Sequence, residues 1–165
     1  RLQGAVEDND IITYPEGDVA SLALNLMQNP IAIVGPNELM PAVNRFKNQL
    51  NENSARFARI GAIPEMNHNE LVGWSGGDER FAPIFFNTGD LHPRNQKRFE
   101  ISKVAIEKKC GKVLEVSAKG DSFIERSIYL VNVVDWASYY LCEMNGADII
   151  DIEIIDYLKG ELAKF

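Results

Sequence analysis

The sequence is poor in cysteine and histidine, with two of each among 165 residues. Cys110 and Cys142 are too few for a disulfide framework, and their spacing matches no thiolate metal site. We expect them to be reduced thiols near the core, which predicts a cytoplasmic protein. The sequence also has no apolar run approaching the roughly 18 residues of a membrane-spanning helix.

Basic residues are also few, with 17 Lys and Arg against 24 Asp and Glu and a net charge of −7. This is the wrong sign for a surface that neutralises a phosphate backbone or an anionic lipid layer. Nucleic acid and membrane are therefore not expected as partners. The 45% hydrophobic content excludes a disordered chain. The length allows one core, at roughly 100–200 residues per domain.

Common cofactor and nucleophile motifs are absent. The chain has no G-x-G-x-x-G, P-loop, G-x-S-x-G or H-E-x-x-H pattern, so no cofactor is predicted. Gly35-Pro36-Asn37 could offer backbone N–H groups to an anion, although a single glycine at such a place usually only makes the turn.

What the chain does have is short apolar runs alternating with helical patterns. The runs predict four buried strands, at Ile31–Val34, Phe57–Gly61, Pro83–Phe86 and Val113–Val116. One helical pattern follows Asp18, and a second, after the first strand, ends near Asn51–Asn53. Three more occupy residues 92–109, 122–144 and 153–164. This alternation predicts right-handed βαβ units and an α/β fold, a three-layer α/β/α sandwich with a mostly parallel sheet.

Two polar segments are candidate sites, Gln49–Ser54 after the second helix and Pro64–Glu70 after the second strand. We expect both at the carboxyl edge of the sheet, where ligands of such folds bind. His68 lies among amides and carboxylates, which suits general acid–base chemistry or a metal, although a metal needs more ligands. Glu65 and Glu70 could orient His68, whereas His92 is predicted to cap a helix.

Three motifs stand out: Gln49-Leu50-Asn51-Glu52-Asn53-Ser54, Pro64-Glu65-Met66-Asn67-His68-Asn69-Glu70-Leu71-Val72-Gly73-Trp74 and Ile155-Asp156-Tyr157-Leu158-Lys159. Together they resemble the C-terminal half of bifunctional phosphoglucose/phosphomannose isomerases. These enzymes belong to the phosphoglucose isomerase superfamily and contain two sugar-isomerase (SIS) domains. The resemblance implies a flavodoxin-like SIS domain over residues 18–165. It makes residues 1–17 a linker or the end of a preceding SIS domain.

The resemblance also implies roles for individual residues. Glu52 matches the base that moves a proton between C1 and C2 of the open-chain sugar phosphate. His68 matches the residue that opens the sugar ring from the neighbouring subunit, and Lys159 matches a lysine close to the reacting atoms. We expect sugar contacts from residues flanking Glu52 and His68, namely Asn51, Asn53, Asn67, Asn69 and Glu65. The implied assembly is a homodimer acting on hexose 6-phosphates without a cofactor or a metal.

Two features of the family pattern are absent. The Ser-Gly-Asn-Thr-type loop that binds the substrate phosphate does not occur, so we expect it from a missing N-terminal SIS domain, and Arg1 is read as a fragment boundary. The usual Pro-Thr pair before the last helix is replaced by Asp148-Ile149-Ile150-Asp151-Ile152. The alternatives are a non-catalytic SIS module for sugar-phosphate sensing or dimerisation and a metal-dependent enzyme that uses His68.

Overall fold

A computed structural model describes residues 18–27 and 30–165. Residues 1–17, predicted to be a linker or the end of a preceding SIS domain, lie outside the described residues. The fold is built on a four-stranded sheet in which every neighbouring pair is parallel and the strand order is β2-β1-β3-β4. The strands are β1 (Ile31–Pro36), β2 (Ala58–Ile63), β3 (Ala82–Asn87) and β4 (Leu114–Ser117). This confirms the predicted parallel α/β fold.

Six α-helices connect and cover the described strands: α1 (Asp18–Leu26), α2 (Met40–Asn53), α3 (Glu70–Gly73), α4 (Pro93–Cys110), α5 (Phe123–Asn145) and α6 (Glu153–Leu162). Short 3₁₀ helices lie at Asn37–Leu39, Glu65–Asn67 and Trp74–Gly76. The ends of the long helices carry the expected signals. Ser122 and Glu125 form a capping box at the start of α5, and Gly146 ends that helix in the left-handed region.

The sheet separates two hydrophobic clusters. One face packs against α1, α2 and α5, and its cluster includes Phe46 of α2, Phe86 of β3 and Tyr140 of α5. The other face is covered by α4 and by the chain between β2 and β3, which contribute Phe99 and Trp74. Because side chains alternate along a strand, each central strand supplies residues to both clusters. The two faces make the molecule the predicted three-layer sandwich.

The strand positions follow from burial. All six residues of β1 are buried, as expected for the centre of a parallel sheet. The edge strand β2 is less apolar, and it begins at Ala58 rather than at the predicted Phe57, whose side chain is 86% exposed. The sequence pattern did not resolve the short helices between β2 and β3, because segments of three or four residues carry no periodicity.

The last helix differs from the others because none of its residues is buried. The predicted amphipathic pattern is present, and it leaves Ile154 84%, Tyr157 69% and Leu162 61% exposed. The predicted helix is therefore confirmed in position, but it does not pack into the core. Among the described residues, no helix combines the length and the apolar character required to span a membrane.

Candidate active site

Glu52 lies in the last turn of α2, at the amino edge of the sheet. A hydrogen bond of the neighbouring Asn51 fixes this position, because the backbone N–H of Ala58, the first residue of β2, donates to Asn51 Oδ1 at 3.0 Å. Ala58 is in register with Ile31, the first residue of β1. The Glu52 side chain is exposed and makes no hydrogen bond or ion pair with another described residue. Its carboxylate is therefore available to a ligand.

The turn after Glu52 has an unusual backbone. Ala55 adopts φ of 51°, in the left-handed region that a side chain disfavours. Buried contacts hold this turn: Ser54 Oγ donates to the Ser138 carbonyl at 2.7 Å, and Asn145 Nδ2 donates to the Ser54 carbonyl at 3.0 Å. The end of α2 is thus fixed against the end of α5, which gives Glu52 a rigid support.

His68 lies in the segment that follows β2, beyond the carboxyl end of the strand. Its backbone N–H donates to the Glu65 carbonyl at 3.0 Å and closes a 3₁₀ turn, and its side chain is exposed. Met66, two residues earlier, is fully buried and anchors the turn in the cluster beneath α4. The imidazole has no hydrogen-bond partner among the residues described.

Glu52 and His68 are on opposite sides of the sheet. Helix α2 covers one face, whereas the segment carrying His68 covers the other face. They are also at opposite edges, and the six residues of β2 between these edges span about 17 Å. The expectation that both polar segments lie at the carboxyl edge is wrong for Gln49–Ser54, because α2 returns the chain to the amino edge. The two side chains of one chain cannot contact the same small molecule.

Lys159 lies on α6, which follows α5 at the amino edge. The ammonium is 3.6 Å from Asp156 Oδ1, one turn earlier, and the Lys159 side chain is 65% exposed. No buried residue anchors α6. Among the described residues, no packing contact fixes the position of Lys159 relative to Glu52.

Three of the predicted sugar-contacting asparagines have structural hydrogen bonds. Asn51 receives the bond from Ala58, Asn67 Nδ2 donates to Ser102 Oγ at 2.6 Å, and Asn69 Oδ1 accepts from the Glu70 N–H at the start of α3. The bonds of Asn67 and Asn69 fix the loop that carries His68. Contact of these residues with a sugar stays a prediction, as it does for two further residues, the half-buried Asn53 and the exposed Glu65.

The contacts of Glu70 change its predicted role, whereas those of His92 confirm its role. Glu70 pairs with Arg59 rather than orienting His68, and Arg59 also lies over the Trp74 ring at 5.9 Å. The sequence pattern gave no reason to single out Arg59, because isolated basic residues are common on edge strands. His92 caps α4 as predicted, since its Nδ1 accepts from the Arg94 N–H at 3.3 Å.

Arg45, a basic residue of α2, is engaged in an ion pair. It pairs with Asp135 at 2.8 Å, and this hydrogen-bonded carboxylate raises the pKa of Arg45. Cys110 and Cys142 are buried, and burial raises the pKa of both thiols. Over residues 18–27 and 30–165, no three His, Cys, Asp or Glu side chains are grouped as metal ligands would be.

Comparison with known proteins assigns this fold and these motifs to a family. Residues 16–162 match the family described as the bacterial phospho-glucose isomerase C-terminal SIS domain. The chain belongs to this family. The resemblance seen in the motifs is thereby confirmed, and the three-layer sandwich is the SIS domain of this family.

Several relatives of this SIS domain are bifunctional phosphoglucose/phosphomannose isomerases. The bifunctional phosphoglucose/phosphomannose isomerase of Aquifex aeolicus is 37% identical over 73% of this chain and 38% of its own length. Its counterpart from Thermoplasma volcanium is 29% identical over 96% of this chain and 51% of its own length. The chain therefore spans about 40–50% of the length of these relatives.

A solved structure has the same fold at low identity. The crystal structure of a glucose-6-phosphate isomerase like protein from Thermus thermophilus superposes with a TM-score of 0.67 at 18% identity. The match covers 84% of this chain and 47% of that one. At this identity the likeness supports the SIS fold only.

Proposed function

We propose that this SIS domain is the C-terminal half of a two-domain isomerase that interconverts hexose 6-phosphates, glucose 6-phosphate or mannose 6-phosphate, with fructose 6-phosphate. The names of the relatives support this reaction. The observation that carries the proposal is that Glu52 and His68 are exposed and have no hydrogen-bond or ion-pair partner among the described residues. Both side chains are therefore accessible to a substrate.

In the proposed reaction, Glu52 transfers a proton between two carbons of the open-chain sugar. Its carboxylate takes the proton from C2 of the aldose, the C–H electrons form the C1–C2 double bond, and O1 takes up a proton to give an enediol. Glu52 then returns a proton to C1 while the O2 proton leaves, and the ketose forms. Before these steps, an imidazole such as that of His68 can protonate the ring oxygen and open the ring. Lys159 would stabilise negative charge on the enediolate.

The position of the sheet between Glu52 and His68 supports a dimeric assembly. If both residues act on one sugar, they come from two copies of the chain, so the proposed active unit is a homodimer. The domain that would bind the substrate phosphate is the proposed N-terminal SIS domain. This chain's own residues then supply the base, the ring-opening group and the ammonium, without a cofactor.

Mixing two inactive variants tests both the residue roles and the assembly. The part of the Aquifex aeolicus relative that this chain leaves uncovered is fused ahead of residue 18, and fructose 6-phosphate formation is followed in a coupled assay. We expect Glu52→Gln and His68→Ala each to lower kcat by about 10²–10⁴-fold. Mixed after dissociation, the two variants should recover about a quarter of the activity, since half of the dimers carry one intact site.

The control is Glu107→Gln, which changes an exposed carboxylate on α4 and should leave turnover unchanged. Near-normal turnover of Glu52→Gln would remove the base assignment. Absence of recovery on mixing would contradict a site shared between two copies of the chain. A fused protein that binds sugar phosphate but never turns it over would instead support the alternative, a non-catalytic sensing module.

A further inference from the structure

A crevice of about 220 Å³ opens at the carboxyl edge of the sheet, between β1 and β3. Pro36, the last residue of β1, and Thr88, which follows β3, are among its lining residues. After β1 the chain crosses to β2 on one side, whereas β3 pairs on the other side, so the strand order reverses here. Open parallel sheets bind ligands at such a switch point. The lining includes no residue of the two polar segments around Glu52 and His68.

Thr88 is the unusual residue of this crevice. It is a polar residue with 5% of its surface exposed, and its hydroxyl makes no hydrogen bond with any residue in the described part of the chain. The Thr88 oxygen is not among the fully buried atoms that lack a partner, so it is accessible from the crevice that Thr88 lines. A ligand in the crevice can therefore form a hydrogen bond with this free hydroxyl.

The other polar groups define the ligand. Glu38 is an exposed carboxylate without an ion-pair partner in the described ranges, and Asp90 pairs with Arg126. Nδ1 of His92 is occupied as the cap of α4, so in the neutral ring Nε2 carries the proton and can donate. The net charge of these groups, with His92 neutral, is −1, which opposes a phosphate. Carboxylate acceptors, a hydroxyl and an N–H donor instead suit a compound rich in hydroxyl groups.

The remaining lining is apolar and suits one ring. Phe123, at the start of α5, and Leu91 complete the crevice. Sugar rings present C–H faces that pack against such side chains while their hydroxyl groups bond to polar ones. We propose that this crevice binds an uncharged polyhydroxyl compound of one-ring size, a monosaccharide or a cyclic polyol, at a second site on the domain. The proposal does not depend on the isomerase reaction.

The test is a titration of the ¹⁵N-labelled 165-residue chain with D-glucose, D-mannose and myo-inositol, each compared with glucose 6-phosphate. We expect saturable amide shifts confined to residues 88–92 and the neighbouring start of α5 with at least one neutral probe, and weaker binding of glucose 6-phosphate. Thr88→Val keeps the side-chain shape and should weaken binding about tenfold, the effect of one lost hydrogen bond. Glu38→Gln, at an exposed position, should weaken it too, whereas Glu107→Gln should not.

Three outcomes would overturn the proposal. They are the absence of saturable shifts with all three neutral probes, equal or tighter binding of glucose 6-phosphate at the same amides, and unchanged affinity of both Thr88→Val and Glu38→Gln. Because Glu38 is on the surface, its variant keeps the test valid even if Thr88→Val does not fold.

Discussion

The side-chain oxygen of Asn51 accepts a hydrogen bond from the backbone N–H of Ala58 at 3.0 Å. This bond joins the end of α2 to the first residue of β2 and closes the turn next to Glu52. A residue predicted to contact a sugar therefore also holds the candidate base in place.

Removing this hydrogen bond should destabilise the domain. We expect Asn51→Ala to lower the free energy of unfolding by about 1 kcal/mol, the usual net value of one such bond. Urea unfolding at pH 7 measures the change. Asn48→Ala is the matched control, because Asn48 is exposed on the same helix and its side chain is unpaired within the described ranges. Equal effects of the two substitutions would show that the Asn51 bond contributes nothing.

The left-handed backbone at Ala55 predicts a stabilising substitution. A side chain in this region costs about 1 kcal/mol, and glycine avoids that cost while losing more conformational freedom on folding. Ala55→Gly should therefore raise the free energy of unfolding by up to about 0.5 kcal/mol. Thermal and urea unfolding measure the change.

Gly111 is the matched comparison for Ala55. It ends α4 with φ of 72°, so Gly111→Ala should be destabilising, by about 1 kcal/mol. The prediction fails if the two substitutions change stability in the same direction.

The Phe86 ring should be a major contributor to the core. It is fully buried in β3 and stacks on Phe46 at 5.9 Å between ring centroids. Phe86→Ala should cost about 3–5 kcal/mol, because it removes buried apolar surface and leaves a cavity. Phe57→Ala, at an 86% exposed position, should change stability by less than about 0.5 kcal/mol. A small effect at Phe86 in denaturant unfolding would contradict the assigned face of β3.

Glu115 should make stability depend on pH. Burial acts to raise the pKa of its carboxyl, but hydrogen bonds from Lys103 and Asn87 outweigh burial, and the net pKa is below its usual value. The carboxylate therefore stabilises the fold above the unfolded pKa of about 4.3, and this stabilisation is lost as pH falls through the lower folded pKa.

We expect Glu115→Gln to lower the free energy of unfolding by about 1 kcal/mol at pH 7. The difference from wild type should shrink as pH falls below about 4. Urea unfolding across this range tests the prediction, with Glu107→Gln as the exposed control. A difference that stays constant with pH would mean that Lys103 and Asn87 do not stabilise the charged form.

The sequence predicted the sheet well, because each strand is a short apolar run bounded by helical periodicity. Ile31–Val34 and Pro83–Phe86 were placed in the sheet for this reason, and burial on both faces confirms them. The motif around His68 identified the family. The location of Glu52 was predicted wrongly, because polar composition does not tell at which edge of a sheet a segment lies. The direction of α2 decides that.

The crevice around Thr88 could not be predicted. Its lining residues come from β1, the segment after β3 and the start of α5, and no local pattern connects them. The hydroxyl of Thr88 becomes unusual only when its neighbours are known. Likewise, the apolar pattern of α6 predicts a helix but does not tell what, if anything, it packs against.

The position of the sheet between Glu52 and His68 has a kinetic consequence. A reaction that needs both side chains cannot proceed in a single copy of the chain, so its rate would be second order in chain concentration wherever copies dissociate. Specific activity would then fall on dilution, and the midpoint of the fall would lie at a chain concentration near the dissociation constant of the dimer. The amount of the protein present would thereby regulate flux.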